Sequence, residues 1–328
     1  MLEDNLFIFN FKNMKNSNNR TIIYLISAIF FPLTIFIVWN FALSKIPSSY
    51  GIKNDLINKN INDVELINVG TSREFDGINP ELFPIKSLNL ANNGQDIYYD
   101  VEIIKVAVQK LNSLKYILFG IYPNTLIRDI NDTARATYYY RVYGIKPKNK
   151  SIFDPLRLIY SNVYIPSQGI AWLLFNADVN ITSTINNWGW TNHRQLKSKI
   201  DASAEKELAI LHSNQMTDAK NEETIQKNIT LLKSLKALIE SKKIKIIFFT
   251  VPTLPVYHKF FIKNGIEKYQ TIINDLTVHF NTKHYNYIDD QRFYENEFAD
   301  GSHLNILGAK KFSNIIKNEI LLRDLIKR

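Results

Sequence analysis

Short apolar runs alternate with longer stretches of helical periodicity throughout residues 63–328. The first half has apolar runs at 64–69, 88–91 and 116–121, and residues 97–111 repeat apolar side chains at helical spacing. Strands that alternate with helices are typical of a parallel sheet with helices on both faces. We therefore expect an α/β fold, a three-layer α/β/α sandwich built on a parallel sheet.

The second half of the chain repeats this pattern. An amphipathic helix is predicted first, then a buried strand, and two further helices enclose a short last strand. The predicted elements are a helix at 222–242, a strand at 243–250, a helix at 266–280, a strand at 285–288 and a helix at 306–321.

A long segment between the two halves, about 124–221, fits no simple strand–helix unit and predicts a helical insertion. It is rich in aromatic residues, which could stack on sugar rings near a site or form the apolar face of an inserted cap. The notable residues are Tyr138, Tyr139, Tyr140, Tyr143, Trp172, Trp188, Gly189 and Trp190, followed by His193 and Arg194.

Residues 21–43 form an apolar run without a charged residue. As a helix it would span about 35 Å, enough to cross a hydrocarbon core of about 30 Å. The alternative is a cleavable signal peptide, but the run is long for one, and Ala42-Leu43-Ser44 is a poor cleavage site. Pro32 is tolerable in a membrane helix. We expect an uncleaved transmembrane anchor.

Basic residues on the short N-terminal tail predict the orientation of this anchor. Lys12, Lys15 and Arg20 place residues 1–20 in the cytoplasm by the positive-inside rule. The polar segment 44–62 is then an outer linker, and residues 63–328 form an extracytoplasmic domain on a single-pass protein of the cytoplasmic membrane.

Composition narrows the function classes only a little. The formal net charge of +9 would suit an anionic envelope polymer or lipid headgroups, although a lysine-rich surface with scattered charges explains it as well. No signature of nucleic-acid binding is present. The chain has no cysteine, which fits either side of a membrane.

Candidate catalytic residues lie on two turns far apart in the chain. Ser72 follows the first predicted strand on a Gly-Thr-Ser turn that leads into a helix, and Asp300 precedes His303 on a loop before the last helix. A serine on such a turn is exposed, and one loop can deliver both a base and the carboxylate that orients it. Alternatively, Ser72 is a helix cap and the Asp-x-x-His spacing is accidental.

These motifs resemble the blocks of the SGNH (GDSL-like) hydrolase superfamily across about residues 63–325. Gly70-Thr71-Ser72 matches the first block, with Thr71 in place of the usual Asp; Gly94 matches the second, and Asp300 and His303 match the last. The third block, Gly-x-Asn-Asp, is not present, and Asn124 is the best substitute for its asparagine. The phrases around Ser72 and His303 look most like the membrane-anchored branch, which includes teichoic-acid D-alanyl-transfer and alginate-type O-acetylation proteins.

The resemblance implies a flavodoxin-like sheet and a serine esterase or O-acyltransferase. Ser72, His303 and Asp300 would form the triad, while Ser72, Gly94 and Asn124 would form the oxyanion hole, all at the carboxyl ends of strands. The expected substrate is an envelope polysaccharide or glycolipid, with a multi-pass membrane acyltransferase as a possible partner. We expect no metal and no nucleotide cofactor. The alternative is a non-catalytic, membrane-tethered component of envelope polysaccharide assembly.

Overall fold

The computed structural model describes residues 17–44, 48–59, 61–130, 134–148, 184–191, 194, 200–261 and 263–326. Trp172 and His193 lie outside these residues. The helices are α1 (Ser17–Ser44), α2 (Ser49–Lys59), α3 (Ser72–Gly77), α4 (Ile97–Lys110), α5 (Pro123–Leu126), α6 (Ala134–Tyr143), α7 (Ala202–Thr217), α8 (Ala219–Lys233), α9 (Lys236–Ser241), α10 (Pro255–His258), α11 (Lys263–Phe280) and α12 (Ile306–Ile316). A π-helix, Lys317–Leu325, continues α12.

The strands form one parallel sheet and one small antiparallel pair. They are β1 (Leu66–Val69), β2 (Ser87–Asn89), β3 (Tyr116–Gly120), β4 (Lys245–Thr250), β5 (His284–Asn286), β6 (Phe298–Asp300) and β7 (His303–Leu304). The parallel sheet has the order β2-β1-β3-β4-β5, which is the order of flavodoxin-like doubly wound sheets. The predicted α/β fold with a parallel sheet is confirmed.

Side chains of the central strands alternate between two apolar cores. Ile117 and Phe119 of β3 belong to one core, and Leu118 between them belongs to the other. The first core is closed by α4, α8 and α11, and the second by α12 with its π-helix. Because helices cover both faces, the three central strands β1, β3 and β4 consist largely of buried apolar residues.

Residues 44–62, predicted as a linker, contain a helix that packs on the domain. Tyr50, Leu56 and Ile57 of α2 are buried in the first core. Lys53 is fully buried, and its Nζ donates a hydrogen bond to the carbonyl oxygen of Ala91. The polar composition concealed this helix because its apolar residues lie on one face only.

The described part of the insertion uses its aromatic residues for packing. Tyr139 of α6 is buried and stacks on Tyr99 of α4, with ring centroids 3.9 Å apart. Trp190 is 9% exposed, and its Nε1 donates to the carbonyl oxygen of Asp76 at 2.6 Å. These contacts agree with the packing alternative for these two residues.

Helix α1 covers the apolar run of residues 21–43 and contains Pro32. Within the described part of the chain, no helix combines the length and the apolar character that a membrane crossing requires. The transmembrane anchor therefore stays a prediction.

Candidate active site

A strained glycine turn presents Ser72 at the start of α3. Gly70 has φ +141°, a conformation that side chains disfavour, and a Cβ there would lie 2.6 Å from Oε2 of Glu74. Thr71 caps the helix in a capping box: its side chain accepts from the N–H of Arg73, and Glu74 Oε2 accepts from the N–H of Thr71 at 2.7 Å. The cap is thus Thr71, and Ser72 begins the helix with its hydroxyl free for another partner.

The structure brings Ser72, His303 and Asp300 into one hydrogen-bonded chain. Ser72 Oγ lies 2.8 Å from His303 Nε2. On the other side of the ring, His303 Nδ1 lies 2.8 Å from Asp300 Oδ1 and 2.9 Å from Asp300 Oδ2. This is the order of contacts expected of a serine, a base and an orienting carboxylate.

The β6–β7 turn holds the His-Asp pair rigidly. Asp300 Oδ1 also accepts from the backbone N–H groups of Ser302 and His303, each at 3.0 Å. The carbonyl oxygen of Gly301 accepts from the N–H of Leu254 at 2.9 Å, which fixes the turn against the loop after β4. The aspartate is therefore oriented by the same short loop that carries the histidine.

The charges at the site favour an ionised Asp300 and a neutral His303. Burial opposes ionisation of Asp300, but the hydrogen bond from His303 and the charge of Arg194 outweigh it and lower the pKa of this carboxyl. Burial lowers the pKa of His303 to about 4 against the opposing effect of Asp300. With Asp300 as an anion, Nδ1 carries the ring proton and Nε2 accepts from Ser72.

Arg194, from the insertion, links Asp300 to α3, and the sequence patterns did not reveal this contact. Its Nη1 donates to Asp300 Oδ2 at 3.2 Å, and its Nε donates to Asp76 Oδ2. Burial raises the pKa of Asp76 to about 7, although the nearby Arg194 guanidinium lowers it. Asp76 lies four residues after Ser72 in α3, but nothing in the local sequence links it to Arg194.

Arg73 holds Asn124 beside the turn that carries Ser72. Arg73 Nη1 donates to Asn124 Oδ1 at 2.9 Å, and the Arg73 guanidinium carbon lies 3.9 Å from the centroid of the Tyr122 ring. Because Oδ1 accepts this bond, the Nδ2 amide of Asn124 remains as a donor. Arg73 itself is 4% exposed, and the sequence patterns did not single it out either.

Gly94 joins the same region through the loop after β2. Asn92 in this loop donates its N–H to the carbonyl oxygen of Gly70 at 3.2 Å, so the loop is tied to the turn that carries Ser72. Gly94 has φ +63°. Two guanidinium groups, from Arg128 and Arg135, lie against it.

His258 of α10 lies outside the chain of contacts from Ser72 to Asp300. Its Nε2 lies 2.7 Å from Asp289 Oδ1, and its Nδ1 lies 3.3 Å from Thr253 Oγ1. These contacts connect α10 to the loop after β5, so His258 stabilises the position of that loop.

The comparisons with known proteins include a distant likeness to a solved structure. No family model and no curated protein matches the chain. It is similar to a solved structure described provisionally as a platelet activating factor from Streptococcus pneumonia, with 11% sequence identity and a TM-score of 0.43. The match covers 88% of this chain and 98% of that one. A likeness at this TM-score carries no argument about function, so the resemblance to SGNH hydrolases stays a prediction from the motifs.

Proposed function

We propose that the chain is a serine acyl-transferring enzyme, an esterase or O-acyltransferase, in which Ser72 is the nucleophile. The observation that carries the proposal is the continuous chain from Ser72 Oγ through His303 to Asp300, with both contacts of the ring at 2.8 Å. A role of Ser72 as a helix cap does not explain these contacts, because Thr71 already caps α3.

In the first step Ser72 Oγ attacks the acyl carbon of an ester while His303 Nε2 takes the hydroxyl proton. The new Oγ–C bond forms as the carbonyl electron pair moves to its oxygen. Collapse of this intermediate expels the leaving alcohol, which receives the proton from His303. Asp300 stabilises the imidazolium and stays ionised throughout.

The oxyanion would be bound by the N–H of Ser72, the N–H of Gly94 and the Nδ2 amide of Asn124. The bond from Arg73 to Asn124 Oδ1 supports this role, since it fixes which edge of the amide is a donor. A single lost donor of this kind typically costs about 10²–10³ in kcat.

The acyl-enzyme then passes its acyl group to water or to a sugar hydroxyl. We propose transfer onto an envelope polysaccharide or glycolipid, by a domain anchored outside the cytoplasmic membrane through residues 21–43. Exposed apolar side chains on α1, such as Ile29, Phe31 and Val38, support the anchor. A multi-pass membrane acyltransferase would supply the acyl group from the cytoplasm.

A serine-reactive fluorophosphonate tests the nucleophile directly. We expect the wild-type protein to be labelled and Ser72→Ala to be unlabelled. Ser302→Ala is the matched control, because Ser302 Oγ lies 3.3 Å from the Nδ1 side of the same ring and should not be the labelled atom. Loss of label in the control alone, with label retained in Ser72→Ala, would refute the assignment.

The second candidate is a non-catalytic component of polysaccharide assembly that kept the fold. The absence of the third sequence block favours it. Absence of labelling in a folded wild-type protein, together with unchanged polysaccharide acylation in cells carrying Ser72→Ala, would select this candidate.

A further inference from the structure

Two arginine side chains from different elements meet beside Gly94. A Cβ placed on Gly94 would lie 3.0 Å from Cζ of Arg135 and 3.1 Å from Nη1 of Arg128. The missing side chain of Gly94 therefore allows two guanidinium groups to approach the same point of the backbone.

Hydrogen bonds and ring stacking fix the segments that carry Arg128 and Arg135. Asp96, the N-cap of α4, accepts from the N–H of Ile130 at 2.8 Å, and Asn228 of α8 donates to the carbonyl oxygen of Leu126 at 2.9 Å. Together they fix the backbone that carries Arg128. The stacking of Tyr139 on Tyr99 fixes α6, which carries Arg135.

The described carboxylates near these arginines are already engaged. Within the described residues, no carboxylate lies at ion-pair distance from Arg128 or Arg135. Asp96 accepts from the N–H groups of Tyr99 and Ile130, and Asp129 pairs with Lys148 at 3.9 Å.

A third positive charge adds to the local excess. Arg73, which follows the proposed nucleophile, is close enough for its charge to act on Arg128. Burial, Arg73 and Arg135 lower the pKa of Arg128 against the smaller opposing effect of Asp96. Arg73 Nε is buried and has no hydrogen-bond partner among the described residues. Like charges held together in a partly buried place are costly unless an anion joins them.

We propose that Arg128 and Arg135 form a subsite beside Gly94 that binds an oxyanion group, a carboxylate or a phosphate, carried by the substrate. Planar guanidinium groups bind such groups through paired hydrogen bonds. Arg135 is exposed and Arg128 half-buried, so a ligand can reach both. The inference rests on the proposed function, since it names the class of substrate that Ser72 would meet.

Three matched acetyl esters test the subsite in the full-length protein: neutral phenyl acetate, 4-acetoxybenzoate and 4-acetoxyphenyl phosphate. Arg128→Gln and Arg135→Gln should each raise KM for an anionic ester about tenfold, as expected for one lost charge-assisted contact. The kcat/KM for phenyl acetate should change less than about twofold by the same reasoning. The anionic ester whose KM rises more shows whether the subsite prefers a carboxylate or a phosphate.

Arg141→Gln is the control, since it removes an equal charge from α6 without touching Gly94. Arg128→Lys keeps the charge but not the planar fork, and its KM should fall between those of wild type and Arg128→Gln. Equal losses for neutral and anionic esters, or the same loss in Arg141→Gln, would overturn the subsite while leaving Ser72 as the nucleophile.

A binding measurement separates the subsite from catalysis. Calorimetry on Ser72→Ala with 4-hydroxybenzoate and with inorganic phosphate should show binding that the additional substitutions Arg128→Gln and Arg135→Gln weaken at least tenfold. If the wild type hydrolyses none of the esters, the proposed enzyme fails and this measurement still decides the subsite. If neither 4-hydroxybenzoate nor inorganic phosphate binds, the proposed subsite is wrong.

Discussion

His303 illustrates how single residues set the chemistry of the site. Burial lowers its pKa to about 4, and Asp300 limits that decrease, while Arg194 and Arg73 add to it. A base that acts in its neutral form is active above its pKa and loses activity as the pH falls through that value. As the base of the proposed reaction, His303 should therefore stay in its neutral, competent form well into the acidic range.

We expect the acidic limb of kcat/KM to have a midpoint near pH 4, below the ordinary histidine value of 6.5. Arg194→Gln removes a positive charge that disfavours the imidazolium, so this midpoint should move upward. Arg194→Lys keeps the charge and should leave the midpoint closer to that of the wild type. Ester hydrolysis measured from pH 3.5 to 8 checks both shifts.

The control for this profile is Arg292→Gln, a charge that pairs with Asp290 and Glu319 outside the site. A midpoint that stays unchanged or moves downward in Arg194→Gln would contradict the role given to the arginine.

At the scale of elements, the conformation of the turn between β1 and α3 depends on the close packing of Glu74 against Gly70 and Gly120. The carboxylate of Glu74 is buried and occupies the space where a Cβ of Gly70 or of Gly120 would lie. The turn after β1, the end of β3 and helix α3 therefore pack around a single side chain, and this packing fixes the position of Ser72.

Gly70→Ala should lower the free energy of unfolding by more than Gly144→Ala. Both glycines have positive φ, +141° and +72°, so both substitutions cost backbone strain, of order 1–3 kcal/mol. Only Gly70 adds crowding, because its Cβ would meet Glu74, whereas nothing lies within 4 Å of a Cβ at Gly144. Urea unfolding of the two variants measures the difference, and equal losses would mean that Glu74 simply moves aside.

Element boundaries show where the sequence pattern was sufficient. The helix predicted at 97–111 is observed as Ile97–Lys110, and the strand predicted at 116–121 as Tyr116–Gly120. The helix predicted at 222–242 is divided into α8 and α9, because the chain turns at Ser234 and Leu235. Periodicity cannot detect such a turn when the apolar spacing continues through it.

At the scale of the whole molecule, the domain extends further toward the N-terminus than its strand pattern indicated. Helix α2 contributes Tyr50, Leu56 and Ile57 to the first core. Its Lys53 contacts both the loop after β2 and the Phe75 ring, 3.8 Å from the ring centroid. The segment between α1 and β1 therefore supports the two loops that carry Ser72 and Gly94.

A chain that lacks residues 1–43 should unfold cooperatively and keep the proposed ester hydrolysis. Removal of residues 1–62 should cost several kcal/mol, since each large apolar side chain lost from a core contributes about 1.5–3 kcal/mol. Thermal unfolding and fluorophosphonate labelling of the two shortened chains measure both effects. Equal stability of the two chains would contradict the structural role of α2.

The candidate site was predictable only in part. Ser72, Asp300 and His303 lie on turns next to recognisable strands and helices, so local pattern and motif spacing could single them out. Arg194 could not be found in this way, because its contact with Asp300 joins residues 106 positions apart. The sequence just before Arg194 also has no periodic apolar pattern that would predict an element there. The same holds for Arg73, whose partner Asn124 lies 51 positions away.

By itself the sequence determined the alternation of strands and helices, the parallel sheet and the turns that carry the candidate nucleophile and base. These features follow from apolar periodicity and from the conformations of a few residues, which act over short distances along the chain. Only the tertiary structure decided that α2 belongs to the domain, that Arg194 joins Asp76 to Asp300, and that Arg128 and Arg135 meet beside Gly94. Such contacts depend on which elements pack against each other, and packing is a property of the whole fold.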